Sequence, residues 1–296
     1  MESSTTRQQP SISTKWWSKD TVAIVTGANK GIGYALVKRF AKLGLTVVLT
    51  ARDESKGLEA MESLKVLGLD HNVRFFQLDI SDPISISSFV TWFRSGFDSF
   101  DILVNNAAIS FNPMGENSMA YADTVIGTNY YGSKQFTDAM LPLFRRSASM
   151  SRILNISSRL GTLDKLKNTK MKAILGDIER LSEHQIETVV NAFLQDVAEQ
   201  RWMTAGWPEI WTDYSVSKLA LNAYSQVLAR RYEGLVSVNC FCPGFTQTSM
   251  TDGKGNHSAD DAATMAAAIA LLPPRCLTTG KFYAASTTNG GMISKL

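Results

Sequence analysis

The sequence predicts an α/β protein: a doubly wound, Rossmann-type parallel sheet with helices on both faces and a helical insertion ahead of Tyr214. Two observations carry this. Short apolar runs (Val22–Thr26, Thr46–Thr50, Val73–Leu78, Ile102–Asn105, Ile153–Ile156, Val236–Phe241 and a late one at Lys281–Ala284) alternate with segments of helical period. The hydrophobicity of these runs is continuous rather than alternating, as in strands covered on both faces. After the first run, Leu36, Val37, Phe40, Ala41 and Leu43 recur at helical spacing over Tyr34–Leu43. Alternation of this kind puts a ligand site at the carboxyl ends of the strands.

At 296 residues, 44% hydrophobic and 19% charged, the chain can bury a sizeable core. Its net charge of +3 is spread without any Lys/Arg run, which argues against nucleic-acid and membrane-surface partners. No stretch reaches the apolar length of a membrane span. Three cysteines are too few for a disulfide framework and fit a reducing compartment; Cys240 and Cys242 are expected to be core thiols. His71, His184 and His257 lie far from one another and from any Cys pair at zinc-ligand spacing, so no metal site is expected.

Residues 1–17 read as a flexible N-terminal tail up to Trp16 and Trp17, two indoles able to pin the domain's entrance, with no apolar h-region of a secretory signal. Residues 18–285 read as one domain and 286–296 as a small, polar C-terminal tail. An insertion at about 160–212 holds two helix-like segments, Lys170–Leu181 and His184–Gln200, and a Trp-rich turn from Trp202 to Trp211. Thr251–Asp261 reads as a loop ending in a capping box, Ser258 with Asp261. Insertions near strand ends shape pockets. Trp202, Trp207 and Trp211 are candidate walls, as are Phe111, Met114 and Phe245, although most indoles of an insertion form its own core.

Three groups of residues carry chemistry. In Thr26-Gly27-Ala28-Asn29-Lys30-Gly31-Ile32-Gly33, a glycine turn joins an apolar strand to an amphipathic helix. Glycines there let backbone approach a pyrophosphate, and the helix N-terminus aims unpaired N–H groups at it. The second strand ends in Ala51-Arg52, where NAD-binding relatives of this fold place an acid against the ribose 2′-hydroxyl. Arg52 and Lys30 instead predict a 2′-phosphate, and hence NADPH over NADH. Finally, Tyr214 and Lys218 stand at i and i+4, on one face of a helix. A nearby ammonium favours the phenolate, so this pair predicts a tyrosine whose pKa is lowered for proton exchange. Asp79, Asn105 and the Asn155-Ile156-Ser157-Ser158 segment complete the set at strand ends.

Together, TGANKGIG (26–33), LDI (78–80), NNA (105–107), Asn129 in TNYYG, NISS (155–158), YSVSK (214–218) and PGFTQT (243–248) resemble the short-chain dehydrogenase/reductase family over about 16–284. Within it, NKGIG, LTARD, NYYG, the GWP at Gly206–Pro208, LARRY and VNCFCPG look most like plant menthone, neomenthol and salutaridine reductases and like animal carbonyl reductases. The resemblance implies Tyr214 as general acid, Lys218 as its tuner and a ribose ligand, Ser158 as a hydrogen-bond donor to the carbonyl, and Asn129 as holder of a water linked to Lys218. It implies a cofactor wall of Gly27, Asn29, Lys30, Gly31, Ile32, Gly33, Arg52, Asp79, Ile80, Asn105, Ala107, Tyr214, Lys218, Pro243, Gly244, Thr246 and Thr248. Ala108 departs from the family glycine, adding a methyl group near the adenosine side.

The implied activity is reversible NADPH/NADP+-dependent reduction of a ketone or aldehyde on a bulky apolar molecule such as a terpenoid, alkaloid or aromatic carbonyl. Alternatives are an enoyl (C=C) reductase, against which the retained Tyr214 argues, and a non-catalytic NADPH-binding subunit, against which the intact tetrad argues. The long insertion resembles a helical cover over the family's dimer surface and implies a monomer. The chain ends Ser294-Lys295-Leu296, a peroxisomal import address read by a receptor. Peroxisomal localisation is therefore expected, with the cytoplasm as the alternative.

Overall fold

The computed structural model describes residues 15–113, 115–145, 151–285 and 292–295. The first half runs β1 (Val22–Val25), α1 (Gly31–Lys42), β2 (Thr46–Ala51), α2 (Glu54–Val66), β3 (Val73–Gln77), α3 (Pro83–Gly96) and β4 (Ile102–Asn105). Next come α4 (Ala122–Ile126), a π-helical segment (Gly127–Gly132), α5 (Ser133–Met140), β5 (Arg152–Ile156), α6 (Thr169–Gly176), α7 (Glu183–Ala198) and α8 (Thr212–Arg231). The chain closes with β6 (Ser237–Cys242), α9 (Ala259–Ala270), β7 (Phe282–Ala285) and β8 (Met292–Lys295).

The strands form one sheet in the order β3-β2-β1-β4-β5-β6-β7-β8, parallel up to β7. Chain direction across the sheet reverses between β1 and β4, the switch point where doubly wound sheets open a crevice. Successive residues of β1 face opposite ways, as the strand period requires. Val22 and Ile24 join a core with α3, α5, α7 and α8, whereas Ala23 and Val25 join one with α1, α2 and α9.

Side-chain caps fix several helix starts. Asp53 accepts the N–H of Lys56 at α2, and Asp82, followed by Pro83, accepts that of Ile84 at α3. Ser182 with Gln185 and Ser258 with Asp261 form capping boxes on α7 and α9, the second as expected. α8 is buried around most of its circumference because α7 covers its outer side. Leu175 of α6 and Ile186, Val189 and Val190 of α7 face Val216, Leu219 and Ala220 of α8.

The two ends of the chain meet the sequence expectations differently. Trp16 and Trp17, the end of the expected tail, pin the entrance of the domain: their indole N–H groups donate to the carbonyls of Leu271 (3.2 Å) and Leu43 (3.3 Å). The Arg152 guanidinium lies 3.6 Å from the Trp16 ring centroid and donates to the carbonyls of Ala270 and Leu272 at the end of α9. Met292–Lys295, read as tail, is strand β8, antiparallel to β7 with Ser294 opposite Tyr283 and Lys295 opposite Phe282. An unpaired β7 edge supplies the backbone partners that a four-residue sequence pattern does not reveal. Leu296 and residues 286–291 lie outside the described residues. The first insertion helix ends at Gly176, short of the expected Leu181, because Gly176-Asp177 leaves the helical path.

Candidate active site

A cleft of about 750 Å3 opens along the carboxyl ends of the strands. At its centre is the turn between β1 and α1. Gly27 (φ +61°) and Gly31 (φ +58°) adopt the left-handed conformation, and a Cβ on Gly27 would stand 2.8 Å from the Cα of Ala107. Gly33 lies behind the turn; a Cβ there would meet the Asn106 amide at 2.5 Å and the Gly27 carbonyl at 2.7 Å. Gly33 is thus a packing glycine and does not line the cleft, whereas Gly27, Asn29, Lys30, Gly31 and Ile32 do. Lys30 is the N-cap of α1 but gives no side-chain cap, and the first turn of α1 carries no acid. The leading N–H groups and the positive end of the helix dipole therefore suit an anion.

Arg52 follows β2 at one end of the cleft. The neighbouring Asp53 is committed elsewhere, accepting from Ser55 Oγ at 2.7 Å and Lys56 N at 3.1 Å. The Ser55 hydrogen bond holds its carboxyl below the usual range. Asp53 does not line the cleft, so this end presents Arg52 and Lys30, and neither joins a salt bridge among the described residues. Asp79 and Ile80 line the cleft beyond β3, with Asp79 Oδ1 accepting from the N–H and hydroxyl of Ser81.

At the end of β4 the side chains of the two asparagines diverge. Asn105 points into the core, donating to Thr137 Oγ1 (2.9 Å) and Asn155 Oδ1 (2.8 Å), and does not line the cleft. Asn106, which the sequence reading did not select, does: its amide donates to the carbonyls of Thr26 (2.9 Å) and Gly27 (3.0 Å), stapling the turn to β4. Strand alternation predicts that adjacent residues face opposite ways, so parity was the usable clue. Ala107 and Ala108 also face the cleft.

Asn129 is fully buried in the π-helical segment and lies away from the cleft. It accepts the N–H of Ile109 (2.8 Å) and donates to the Ile109 carbonyl (2.9 Å) and to Ser217 Oγ (3.0 Å). Ser217 in turn donates to the Tyr214 carbonyl at 2.7 Å. Asn129 thus ties the segment after β4 directly to α8.

Ser158, Tyr214 and Lys218 come together on one wall. The loop after β5 lies against α8 because Gly161 has no side chain; a Cβ would stand 2.5 Å from Leu219 N. Ser157 Oγ donates to Asn222 Oδ1 (2.6 Å) on the same helix. Ser158 Oγ accepts the Leu160 N–H at 3.1 Å, which leaves the hydroxyl hydrogen to donate. Lys218 Nζ donates to the Ile156 carbonyl at 2.8 Å and lies 5.5 Å from the Tyr214 ring centroid. Burial lowers the Lys218 ammonium to about 8. Burial also pushes the Tyr214 phenol above its ordinary value. The lowering expected of Tyr214 is not seen: burial raises the phenol instead.

The floor beyond this wall is formed by the segment after β6. Pro243, Gly244, Thr246 and Thr248 line it, with Gly244 at φ +77° beside the His257 ring and Thr248 against Gly31. Thr246 Oγ1 donates within 3.3 Å of the Pro243 and Gly244 carbonyls. Cys242 lines the cleft as well, whereas Cys240 is a core thiol that burial pushes up to about 12.

Among the candidate aromatic walls, Phe111, Trp211 and Phe245 line the cleft. Trp207 is core, edge-on to Phe193 and donating to Asp196 Oδ2, and Trp202 packs against the same core. Met114 lies outside the described residues. Trp211 is backbone-strained, at φ 44° and ψ 59°, a conformation that costs a non-glycine residue about 1–3 kcal/mol. It is held by its indole N–H on the Pro113 carbonyl (3.2 Å), and its ring stands edge-on to Tyr214 at 6.0 Å. Among the described residues no His/Cys/Asp/Glu group is placed to hold a metal ion, and no helix is long and apolar enough to cross a membrane.

Residues 21–171 match the short chain dehydrogenase family model. A (+)-neomenthol dehydrogenase of Capsicum annuum is 38% identical, over 85% of this chain and 91% of its own length. Carbonyl reductase [NADPH] 1 of Rattus norvegicus is 34% identical, over 86% and 91%. The solved structure of salutaridine reductase from Papaver somniferum superposes with a TM-score of 0.81 at 38% identity, covering 88% of this chain and 99% of that one. With a family model over more than half of it and relatives of this identity along most of its length, the chain belongs to the short-chain dehydrogenase/reductase family.

Proposed function

We propose that the protein reduces a ketone or aldehyde to an alcohol with NADPH as hydride donor, on an apolar small molecule. The observation that carries this reading is the meeting of Ser158, Tyr214 and Lys218 on one wall of a cleft whose far end offers Arg52 and Lys30 in place of an acid. The residues fit the dinucleotide: the Gly27–Ile32 turn and uncapped α1 would hold the pyrophosphate, and Arg52 with Lys30 the 2′-phosphate. Asp79 and Asn106 would flank the adenosine half, and Lys218 the nicotinamide ribose. Bound there, the cofactor supplies the hydride.

The chain's own residues supply orientation and the proton. Ser158 donates a hydrogen bond to the carbonyl oxygen and turns it toward Tyr214. Tyr214 passes its phenolic proton to that oxygen as negative charge grows there. The Lys218 ammonium stabilises the phenolate left behind. Phe111, Trp211 and Phe245 favour an apolar body around the carbonyl and exclude water. The test is consumption of NADPH, with NADH in parallel, against cyclic ketones and aromatic aldehydes. Tyr214→Phe is the control: a variant that kept wild-type turnover would overturn the mechanism.

We also infer a monomer, because α7 covers the outer side of α8; a dimer mass in light scattering at micromolar concentration overturns this. A peroxisomal address is supported by the terminal Ser294-Lys295-Leu296. Its reading by a receptor requires that Ser294 and Lys295 leave the edge of β7. A fluorescent fusion with a free C-terminus that stays diffuse places the protein in the cytoplasm instead.

A further inference from the structure

The charge of the cleft is uneven. Among the described residues lining it, Asp79 is the one carboxylate, and it sits beyond β3 at the Arg52 end. The wall around Ser158 and Tyr214 carries no acid but does carry a cation with no assigned task, Arg159. Three strand intervals separate β2 from β5 and five separate it from β7. At strand spacing these are roughly 14 Å and 24 Å. Arg159 follows β5, and its guanidinium leans toward β7, where Nη2 donates to the Ala285 carbonyl at 2.9 Å. It therefore cannot serve the phosphate that Arg52 faces.

Arg159 is also held in place. Its backbone N–H donates to Cys242 Sγ at 3.2 Å, and the Ala285 bond fixes one end of the guanidinium. It joins no salt bridge among the described residues. An arginine has further N–H donors in a planar fork that matches a carboxylate. Its Cα is one residue from that of Ser158, about 3.8 Å away. Ser158 is in extended backbone (φ −148°, ψ 146°), so the two side chains leave the chain in different directions, yet both line the same cleft, and a substrate whose carbonyl meets Ser158 can reach Arg159 with its far end.

Resting on the carbonyl-reductase reading, we propose that Arg159 is a specificity residue and that the substrate is an oxo acid: an apolar body bearing the carbonyl at one end and a carboxylate at the other. The same cation disfavours carbonyl compounds that carry a protonated amine, since like charges in a partly desolvated cleft repel.

The test compares para-formylbenzoate with its methyl ester, in the wild type and in Arg159→Gln and Arg159→Lys, with NADPH saturating. The wild type is expected to favour the acid in kcat/KM by about tenfold or more, mainly through KM. Arg159→Gln is expected to lower the acid-to-ester ratio by at least tenfold, and Arg159→Lys to keep part of it because the charge remains. Thermal melting checks that each variant folds despite the altered Ala285 contact. No acid preference in the wild type, or a ratio unchanged in a folded Arg159→Gln, overturns the proposal. Calorimetric binding of para-(hydroxymethyl)benzoate to the NADP+-loaded protein separates the two readings. Binding that depends on Arg159 without turnover of either aldehyde sinks the reductase reading alone. Turnover without charge preference sinks the Arg159 proposal alone.

Discussion

Lys218 Nζ donates to the carbonyl of Ile156 at 2.8 Å, so the ammonium on α8 is bound to the last residue of β5, two positions before Ser158. One buried cation thereby fixes the serine loop relative to Tyr214 and supplies the charge that a phenolate needs. Its burial has a measurable consequence for pH.

With the ammonium lowered to about 8 by burial, the rate of carbonyl reduction is expected to be flat below that pH and to fall above it. Tyr214, raised by burial, keeps its proton throughout. The sign for stability is opposite. The folded value lies below the unfolded 10.5, so between the two the unfolded chain binds more protons and this group adds stability as pH rises. A kcat/KM profile that stayed flat to pH 10 would remove Lys218 from the mechanism.

Arg52 and Lys30 should set cofactor choice. The double variant Arg52→Ala/Lys30→Ala is expected to lose the preference for NADPH over NADH, which is at least about tenfold for a phosphate held by paired charge-assisted bonds. The loss should fall on the KM for NADPH. A double variant that kept the wild-type preference would mean that the 2′-phosphate is read elsewhere.

Phe193 of α7 is fully buried, edge-on to Trp207 at 5.3 Å. Phe193→Ala should cost about 3–5 kcal/mol in urea unfolding, by lost transfer energy plus a cavity. A loss below about 1 kcal/mol would mean that the insertion is not part of the cooperative core.

The sheet and its ligand side were legible because each inner strand is buried on both faces and so reads as an unbroken apolar run. The turn at Gly27–Gly33 and the Tyr214–Lys218 pair were legible because backbone conformation and helical spacing dictate those residue types. What was hidden depends on direction and distant partners. Asn105 and Asn106 are the same residue type, but strand alternation sends one into the core and the other to the turn. The motif marks Asn129, but not the bonds its side chain makes to Ile109 and Ser217, which depend on distant segments of the chain. β8 exists through backbone pairing with β7, which leaves little trace in four residues. The direction of the Arg159 side chain is set by the Ala285 carbonyl at the end of β7, a partner 126 positions away in the chain.

Asp213 is a further buried group at the head of α8. Its Oδ1 accepts from Asn112 Nδ2 and from Tyr214 N, both at 2.6 Å, while Oδ2 is buried without a partner. The pair ties the loop beyond β4 to the residue bearing the phenol. Burial raises the carboxyl above its usual 3.8. An acid raised in the folded state binds its proton more tightly there, so its ionisation costs stability as pH climbs from 3.8 through the folded value. Asp213→Asn keeps an acceptor oxygen and removes that charge. It is expected to melt higher than the wild type at neutral pH, with the gap closing as pH falls below 4. Asp213→Ala leaves Asn112 and the Tyr214 N–H unpaired and should cost about 1–3 kcal/mol. Equal melting of wild type and Asp213→Asn across this pH range would show that the carboxylate is not destabilised, and that the Asn112 and Tyr214 bonds offset its burial in full.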